Sequence, residues 1–248
     1  MLPDVLTTKL HPPPVTTTLV PRPELYTRLG QGGIRPVTLV CGPAGFGKTT
    51  LVAQWLGERT ERFAWLSLDE QDSEPARFLA YLVSAVQSVA PIGTSVLQAL
   101  DPESGTIGSA MTSLANELDA LDDQITLVLD DYHEIDSPEI DATLEALVGR
   151  MPRALRLVVT SREDPPFPLS RLRARGQLTE LRARDLRFSA EEASAFLRES
   201  MGIDVSDDDV RALEQRTEGW IAGLQLAAVS LQGEPDVASF VASFTASN

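Results

Sequence analysis

Cysteine and histidine are scarce in this sequence, and their scarcity excludes several kinds of site. Among its 248 residues, the only cysteine is Cys41 and the only histidines are His11 and His133. One cysteine cannot form an internal disulfide, and a zinc site built from cysteine and histidine needs more ligands than these. We expect Cys41 to be a small core residue, and His133 to pack or hydrogen-bond rather than catalyse.

Long hydrophobic runs are also missing. No apolar stretch approaches the roughly 18 residues that a membrane-spanning helix requires. The N-terminus lacks the basic start and the apolar core of a secretory signal. We therefore expect a soluble protein located in the cytoplasm.

Basic residues are outnumbered by acidic ones, 21 to 36, which gives a formal net charge of −15. A strongly acidic chain repels nucleic-acid backbones, so we expect no direct DNA binding by this chain. The missing apolar runs predict no membrane contact. Most of the acidic charge is interpreted as solvated surface. Five arginines are interpreted in the first place as surface residues of a helix and a strand, and phosphate or partner contacts are the second interpretation. They are Arg171, Arg173, Arg175, Arg182 and Arg184.

The most informative stretch that is present is a glycine-rich loop behind an apolar run. Residues 42–50 contain the pattern G-x-x-x-x-G-K-[ST], and the apolar residues 37–41 before it predict a buried strand. Glycines let the backbone curve around a phosphate, its N–H groups point inward, and the next helix presents its positive end to the same anion. The pattern predicts that a nucleoside triphosphate is bound by Gly42, Pro43, Ala44, Gly45, Phe46, Gly47, Lys48, Thr49 and Thr50. Lys48 is expected to reach the β and γ phosphates, and Thr49 the Mg²⁺ ion.

Apolar runs alternate with helical patterns in the middle of the chain, which predicts a parallel sheet in an α/β fold. Strands are predicted at residues 37–41, 63–68, 125–131, 155–162 and 177–181, and helices at 48–58 and 75–90. Three parts follow: an extended N-terminal arm over residues 1–35, a P-loop nucleotide-binding domain over 36–186, and a helical lid domain over 187–248. Ser189 and Glu192 form a capping box at the start of the lid, and further helices are predicted near 206–217, 219–232 and 235–245.

Polar residues end two of the predicted strands, where parallel sheets bind their ligands. Asp130 and Asp131 end the third strand, and Arg162 ends the fourth. We expect Asp130 to hold Mg²⁺, because adjacent carboxylates are costly without a cation. Asp131 is predicted to orient the attacking water, and Arg162 to sense the γ-phosphate or stabilise the transition state together with Lys48.

Taken in order, these motifs resemble the ATPase module of the MalT-like large ATP-binding regulators of the LuxR type, the signal-transduction ATPases with numerous domains. The resemblance spans nearly the whole chain. It is carried by residues 9–10, 20–22, 42–50, 64–72, 77–78, 129–133, 160–162 and 219–226.

This resemblance implies a P-loop NTPase with a three-layer sheet of AAA-like order, in which the Arg162 strand lies between the P-loop strand and the Asp130 strand, and a small all-α lid. It implies that Val20 and Arg22 flank the adenine. It also implies that Trp220, Gly223 and Gln225 close over the nucleotide from the lid. In such proteins ADP holds a resting monomer, and ATP with an inducer favours a self-associating form that activates transcription. The sensor and DNA-reading parts of such regulators are not expected within this chain.

The preferred hypothesis is an ATP- or ADP-binding switch that hydrolyses ATP slowly with Mg²⁺ and controls self-association of a transcription regulator. Slow turnover is expected because Asp131 is shorter than the glutamate usual in fast ATPases. Two alternatives remain open at this point. One is a P-loop phosphotransferase that acts on a small molecule, and the other is an oligomerisation module that binds nucleotide without hydrolysing it.

Overall fold

Five parallel strands form one sheet in the computed structural model, which describes residues 5–14, 19–30, 35–93, 96, 106–232 and 241. The strands are β1 (Val37–Cys41), β2 (Phe63–Ser67), β3 (Ile125–Asp130), β4 (Leu155–Ser161) and β5 (Leu178–Arg182). Their order is β2-β3-β4-β1-β5, and every neighbouring pair is parallel. Strand β4, which leads to Arg162, therefore lies between the P-loop strand and the Asp130 strand. The expected α/β fold with an AAA-like strand order is confirmed.

Helices cover both faces of this sheet. They are α1 (Pro23–Gly30), α2 (Lys48–Gly57), α3 (Pro75–Gln87), α4 (Ile107–Asp119), α5 (Pro138–Gly149), α6 (Leu169–Ala174) and α7 (Ala183–Leu186). Successive side chains of a strand point to opposite faces. Leu39 and Leu127 accordingly pack on the face that α3, α4 and α5 cover, whereas Val40 and Val128 pack on the face that α1 and α2 cover. The three layers and their two apolar cores follow from this alternation.

Helix α3 is shorter than the predicted helix over residues 75–90. It begins with Pro75, and the Glu74 carboxylate accepts the N–H groups of Ala76 and Arg77. The helix ends at Gln87, and the Val89 N–H then bonds the Val86 carbonyl, three residues back. Pro91 comes next in the sequence and disfavours a helical conformation in the residue before it, so the helix ends early.

A third apolar core lies in the helices after residue 187. These are α8 (Ala190–Ala195), a π-helical turn at Phe196–Ser200, α9 (Asp207–Thr217) and α10 (Ile221–Leu231). The predicted capping box at the start of α8 is present. The core changes between Leu186, which packs on the sheet, and Phe188, which packs among these helices. The helix predicted near 235–245 lies outside the described residues except for Val241, and the domain boundaries stay a prediction.

The described parts of the first 35 residues, which were predicted to form an arm, pack closely on the domain. A 3-10 turn at Thr7–Leu10 buries Lys9, whose ammonium donates to the buried Asp72 carboxylate and, at 2.9 Å, to Asp69. Helix α1 buries Leu25 and Leu29 against the sheet. The ion pairs and this apolar contact fix the segment at two places.

Within the described residues, no helix combines the length and the apolar composition that crossing a membrane requires.

Candidate nucleotide-binding site

The glycine-rich loop lies between β1 and α2, at the carboxyl edge of the sheet. Gly45 and Gly47 have positive φ angles, 76° and 71°, a conformation that costs a residue with a Cβ roughly 1–2 kcal/mol. Phe46 between them is buried in the core beside α2, and α2 begins at Lys48. The local sequence therefore curves the loop in the way that phosphate binding requires and places a helix N-terminus behind it.

Lys48 is buried at the start of α2. Its ammonium donates to the Pro43 carbonyl at 3.2 Å, across the loop. Burial lowers the pKa of Lys48, Asp131 opposes this effect, and Arg162 adds to it. A buried cation with one neutral acceptor is well suited to receive an anion such as a phosphate.

Asp130 connects the loop helix with the neighbouring strands. Its Oδ1 accepts hydrogen bonds from the Thr49 hydroxyl at 2.9 Å and from the Thr160 hydroxyl at 2.7 Å. Burial raises the pKa of Asp130 to about 6, and Asp131 beside it acts in the same direction, whereas the hydrogen bond from Thr160 opposes the rise. A nearby divalent cation would favour the ionised carboxylate.

The chemistry of these groups fits Mg²⁺. In the part of the chain that the structure describes, no group of three or more histidine, cysteine or acidic side chains could hold a metal ion alone. Magnesium bound with a nucleotide takes one or two protein oxygens and completes its shell with phosphate oxygens and water. The Thr49 hydroxyl and the Asp130 carboxylate, 2.9 Å apart, are oxygen donors of this kind.

Asp131 has a left-handed backbone, with φ 58°, and is not a glycine. Its N–H donates to the Thr160 hydroxyl at 2.8 Å, and Thr160 thereby holds both acidic residues. Strained conformations of this kind concentrate at functional sites. Sequence reasoning missed this role of Thr160. The signal available was its position at the end of β4, next to the strand that carries the two aspartates.

Arg162 lies close to the acidic residues that follow β3. Its guanidinium is 3.9 Å from the Glu134 carboxylate and close enough to Lys48 to affect its pKa. The side chain of His133 is 7% exposed there, with its Nε2 3.2 Å from the Glu134 carboxylate, and burial lowers its pKa. The structure therefore brings Lys48, Asp131 and Arg162 together at one edge, as predicted, and their catalytic roles stay predictions.

A cavity of about 180 Å³ adjoins the loop between the sheet domain and the helices that follow it. Five predicted nucleotide contacts line it: Val20, Arg22, Gly47, Thr50 and Gln225. Apolar side chains that sequence reasoning missed complete the walls, among them Phe188, Phe196, Met201 and Ile221. Walls of this composition suit the flat faces of a nucleobase.

The guanidinium of Arg22 makes four hydrogen bonds to protein groups. It makes two hydrogen bonds to the Glu192 carboxylate, at 2.9 and 3.0 Å, and donates to the carbonyls of Leu186 at 2.7 Å and Arg187 at 2.8 Å. It also lies 5.1 Å from the centre of the Phe188 ring. Arg22 therefore attaches the N-terminal segment to the start of the helical domain.

Trp220 and Gly223 lie elsewhere than in the cavity. The Trp220 indole N–H donates to the Ala44 carbonyl at 3.0 Å, and the Ala222 N–H donates to the Gly45 carbonyl at 3.0 Å. A Cβ on Gly223 would come within 2.8 Å of the Trp220 ring, so this glycine makes room for the indole. Trp220 therefore holds the helical domain against the loop, and the predicted contact of Trp220 and Gly223 with nucleotide stays a prediction.

Residues 24–160 match the model of the AAA ATPase domain, and this match covers more than half of the chain. The chain belongs to the AAA ATPase domain family. It is an AAA-type P-loop ATPase module related to the MalT regulators, and the resemblance stated above is confirmed.

Two curated relatives show how the module is distributed. The chain is 37% identical over 234 residues to the serine/threonine-protein kinase PknK of Mycobacterium tuberculosis, covering 92% of this chain and 21% of the relative. It is 34% identical over 228 residues to the HTH-type transcriptional regulator MalT of Yersinia enterocolitica, covering 91% of this chain and 25% of the relative. The chain thus spans a quarter or less of the length of these relatives.

Solved structures support the same fold. The Cdc6p protein of Pyrobaculum aerophilum has a TM-score of 0.52 at 16% identity, with 92% of this chain and 66% of that chain covered. A variant of Thermotoga maritima RuvB has a TM-score of 0.51 at 14% identity, with 91% and 69% covered. At these identities the likeness concerns the fold alone.

Proposed function

We propose that this chain is the nucleotide switch of a larger LuxR-type regulator. It binds ATP or ADP with Mg²⁺, hydrolyses ATP slowly, and controls self-association through the nucleotide it holds. The observation that carries the proposal is the hydrogen bond between Thr49 and Asp130 beside the buried Lys48, since these groups are the hydroxyl, the acid and the cation that a magnesium nucleotide requires. The proposal places the chain in the cytoplasm, where ATP is available.

The residues have separate roles in this proposal. Lys48 and the loop N–H groups bind the phosphates, while Thr49 and Asp130 hold Mg²⁺, which supplies charge neutralisation when bound. Asp131 orients water, Arg162 stabilises the charge on the γ-phosphate, and the cavity beside Val20 takes the base. The relatives named as a kinase and as a transcriptional regulator support the view that such a module serves different output domains.

Isothermal titration calorimetry with ATP and with ADP, each with Mg²⁺, tests the binding step. We expect Lys48→Ala to weaken binding roughly ten- to hundredfold, because a charge-assisted hydrogen bond contributes about 1.5–3 kcal/mol. Arg184→Ala is the matched control, since Arg184 is a cation on the same edge of the sheet with an 87% exposed side chain. If the unmodified chain bound neither nucleotide, the proposal would fail.

Phosphate release without any added acceptor tests the reaction. Slow release that Asp131→Asn reduces further supports an ATPase. Turnover only in the presence of a small-molecule acceptor would instead indicate a phosphotransferase. Nucleotide binding with no turnover, and assembly unchanged in Asp131→Asn, would indicate an oligomerisation module that does not hydrolyse ATP.

A further inference from the structure

A groove of about 660 Å³ lies at the amino ends of the strands, at the edge of the sheet opposite the P-loop. Part of its wall is formed by the residues that directly precede β1, β3 and β5, namely Pro36, Gln124 and Gln177. Four arginines, and no carboxylate among the described residues, line it: Arg150, Arg153, Arg156 and Arg175. We call these four residues the arginine groove. In a chain of net charge −15, such a lining is a local reversal of charge.

Not all of these arginines are available to a ligand. Arg156 donates to the backbone carbonyls of Arg153 at 3.2 Å and Leu155 at 3.0 Å, so its guanidinium hydrogen-bonds the backbone at the start of β4. Arg153 has one weak ion pair, in which its Nε is 3.6 Å from the Asp119 carboxylate. Arg150 and Arg175 are exposed, and neither forms an ion pair with the described residues. The groove therefore presents two exposed guanidinium groups, those of Arg150 and Arg175, that no carboxylate of the described residues pairs with.

The opposite charge is concentrated at the start of α9. Asp207 and Asp208 lie in its first turn, with side chains that are 74% and 91% exposed. Each makes one ion pair within its own domain, Asp207 with Arg198 and Asp208 with Arg211. A carboxylate accepts up to about four hydrogen bonds, so both can accept further donors.

One copy cannot bring these two surfaces together. The helical domain is held at the carboxyl edge of the sheet, where Trp220 and Ala222 bond the loop carbonyls. The arginine groove lies at the amino edge, and strands of five to seven residues separate the edges by roughly 17–23 Å. The arginine groove and the acidic start of α9 can therefore pair only between two molecules.

We propose that the arginine groove of one copy receives the acidic start of α9 of a second copy, so that the chain self-associates head to tail. This inference rests on the proposed function, because it assigns surfaces to the self-association that the nucleotide controls. Each copy has both surfaces, and such a contact continues into a ring or an open filament. The attraction is electrostatic between exposed groups, so added salt weakens it.

Charge reversal tests the contact by sedimentation velocity with Mg²⁺ and either ATP or ADP. A groove variant, Arg150→Glu with Arg175→Glu, and a helix variant, Asp207→Arg with Asp208→Arg, should each associate at least about tenfold more weakly, because opposed like charges cost several kcal/mol. Arg184→Glu, a reversal at the other edge, should associate as the unmodified chain does. Mixing the groove variant with the helix variant should restore assembly, since the reversed charges attract again.

The helix variant adds cations to a helix N-terminus, so its unfolding temperature is measured first. If it is less stable, Asp207→Asn with Asp208→Asn replaces it, and weaker association in this variant again supports the contact. Normal assembly of the groove variant, or no recovery on mixing, would overturn the inference. The inference would also be overturned if the groove bound a nucleic-acid oligomer and the chain did not self-associate. The same holds if calorimetry showed bound nucleotide and no assembly occurred. Absence of nucleotide binding in that calorimetry would instead refute the proposed function.

Discussion

Replacement of Arg22 by alanine tests how the N-terminal segment holds the helical domain. The side chain is 6% exposed and makes four hydrogen bonds, two to the Glu192 carboxylate and two to backbone carbonyls at the junction between the domains. The variant removes all four donors together. It leaves the Glu192 carboxylate at the base of α8 without its cation.

The expected loss of stability follows from the contacts that Glu192 keeps in the variant. Removing one partner of a buried ion pair costs about 3–5 kcal/mol. Glu192 keeps the N–H of Ser189, at 2.9 Å, and its side chain is 23% exposed, so we expect a loss near the lower limit, about 3 kcal/mol. For a chain of this size, each kcal/mol lowers the melting temperature by about 2–4 °C. The expected decrease is therefore about 6–12 °C.

Urea unfolding and calorimetry measure this loss. Arg22→Lys is the control that keeps the charge but loses the two-pronged contact, and it should retain part of the stability. A double-mutant cycle with Glu192→Gln should show a coupling of at least about 1 kcal/mol, because the two residues share hydrogen bonds. An Arg22→Ala variant within 1 kcal/mol of the parent would refute the reasoning. It would mean that the guanidinium is held too loosely for these contacts to matter.

Three further perturbations address the loop, the strand ends and the surface. Gly45→Ala should detach the helical domain from the loop, because its Cβ would lie 2.5 Å from that domain; faster proteolysis between the domains would show this, and unchanged proteolysis would contradict it. Thr160→Val should slow ATP turnover at least about tenfold while leaving the fold intact, since it removes the hydrogen bond that orients Asp130; a circular dichroism spectrum checks the fold. The Arg173 guanidinium lowers the pKa of Glu180 from 4.5 to about 2, so stability present above pH 4.5 should decrease as the pH falls toward 2, and Glu180→Gln should show a shallower decrease in acid unfolding.

The sequence predicts the elements whose signals are local. The strand that precedes Gly42, the loop itself and the aspartates after β3 all follow from runs of adjacent residues, and the rule that parallel strands place their carboxyl ends together brings them to one edge. Family resemblance adds the strand order. The contacts that join the two domains have no local signal. Arg22 and Glu192 are 170 residues apart, and Trp220 and Ala44 are 176 apart, so neither periodicity nor spacing could pair them.

The backbone of the P-loop connects the phosphate site with the helical domain. The N–H groups of such a loop face the anion, and two of its carbonyls, those of Ala44 and Gly45, accept hydrogen bonds from Trp220 and Ala222. In the proposed switch, a change in the loop on nucleotide exchange would act directly on both bonds. Each contributes about 0.5–1.5 kcal/mol net, so together they can couple the two sites by about 1–3 kcal/mol, which corresponds to roughly 5- to 150-fold in affinity. Since coupling of binding equilibria is reciprocal, any partner that moves the helical domain must change the affinity of the loop for nucleotide by the same factor.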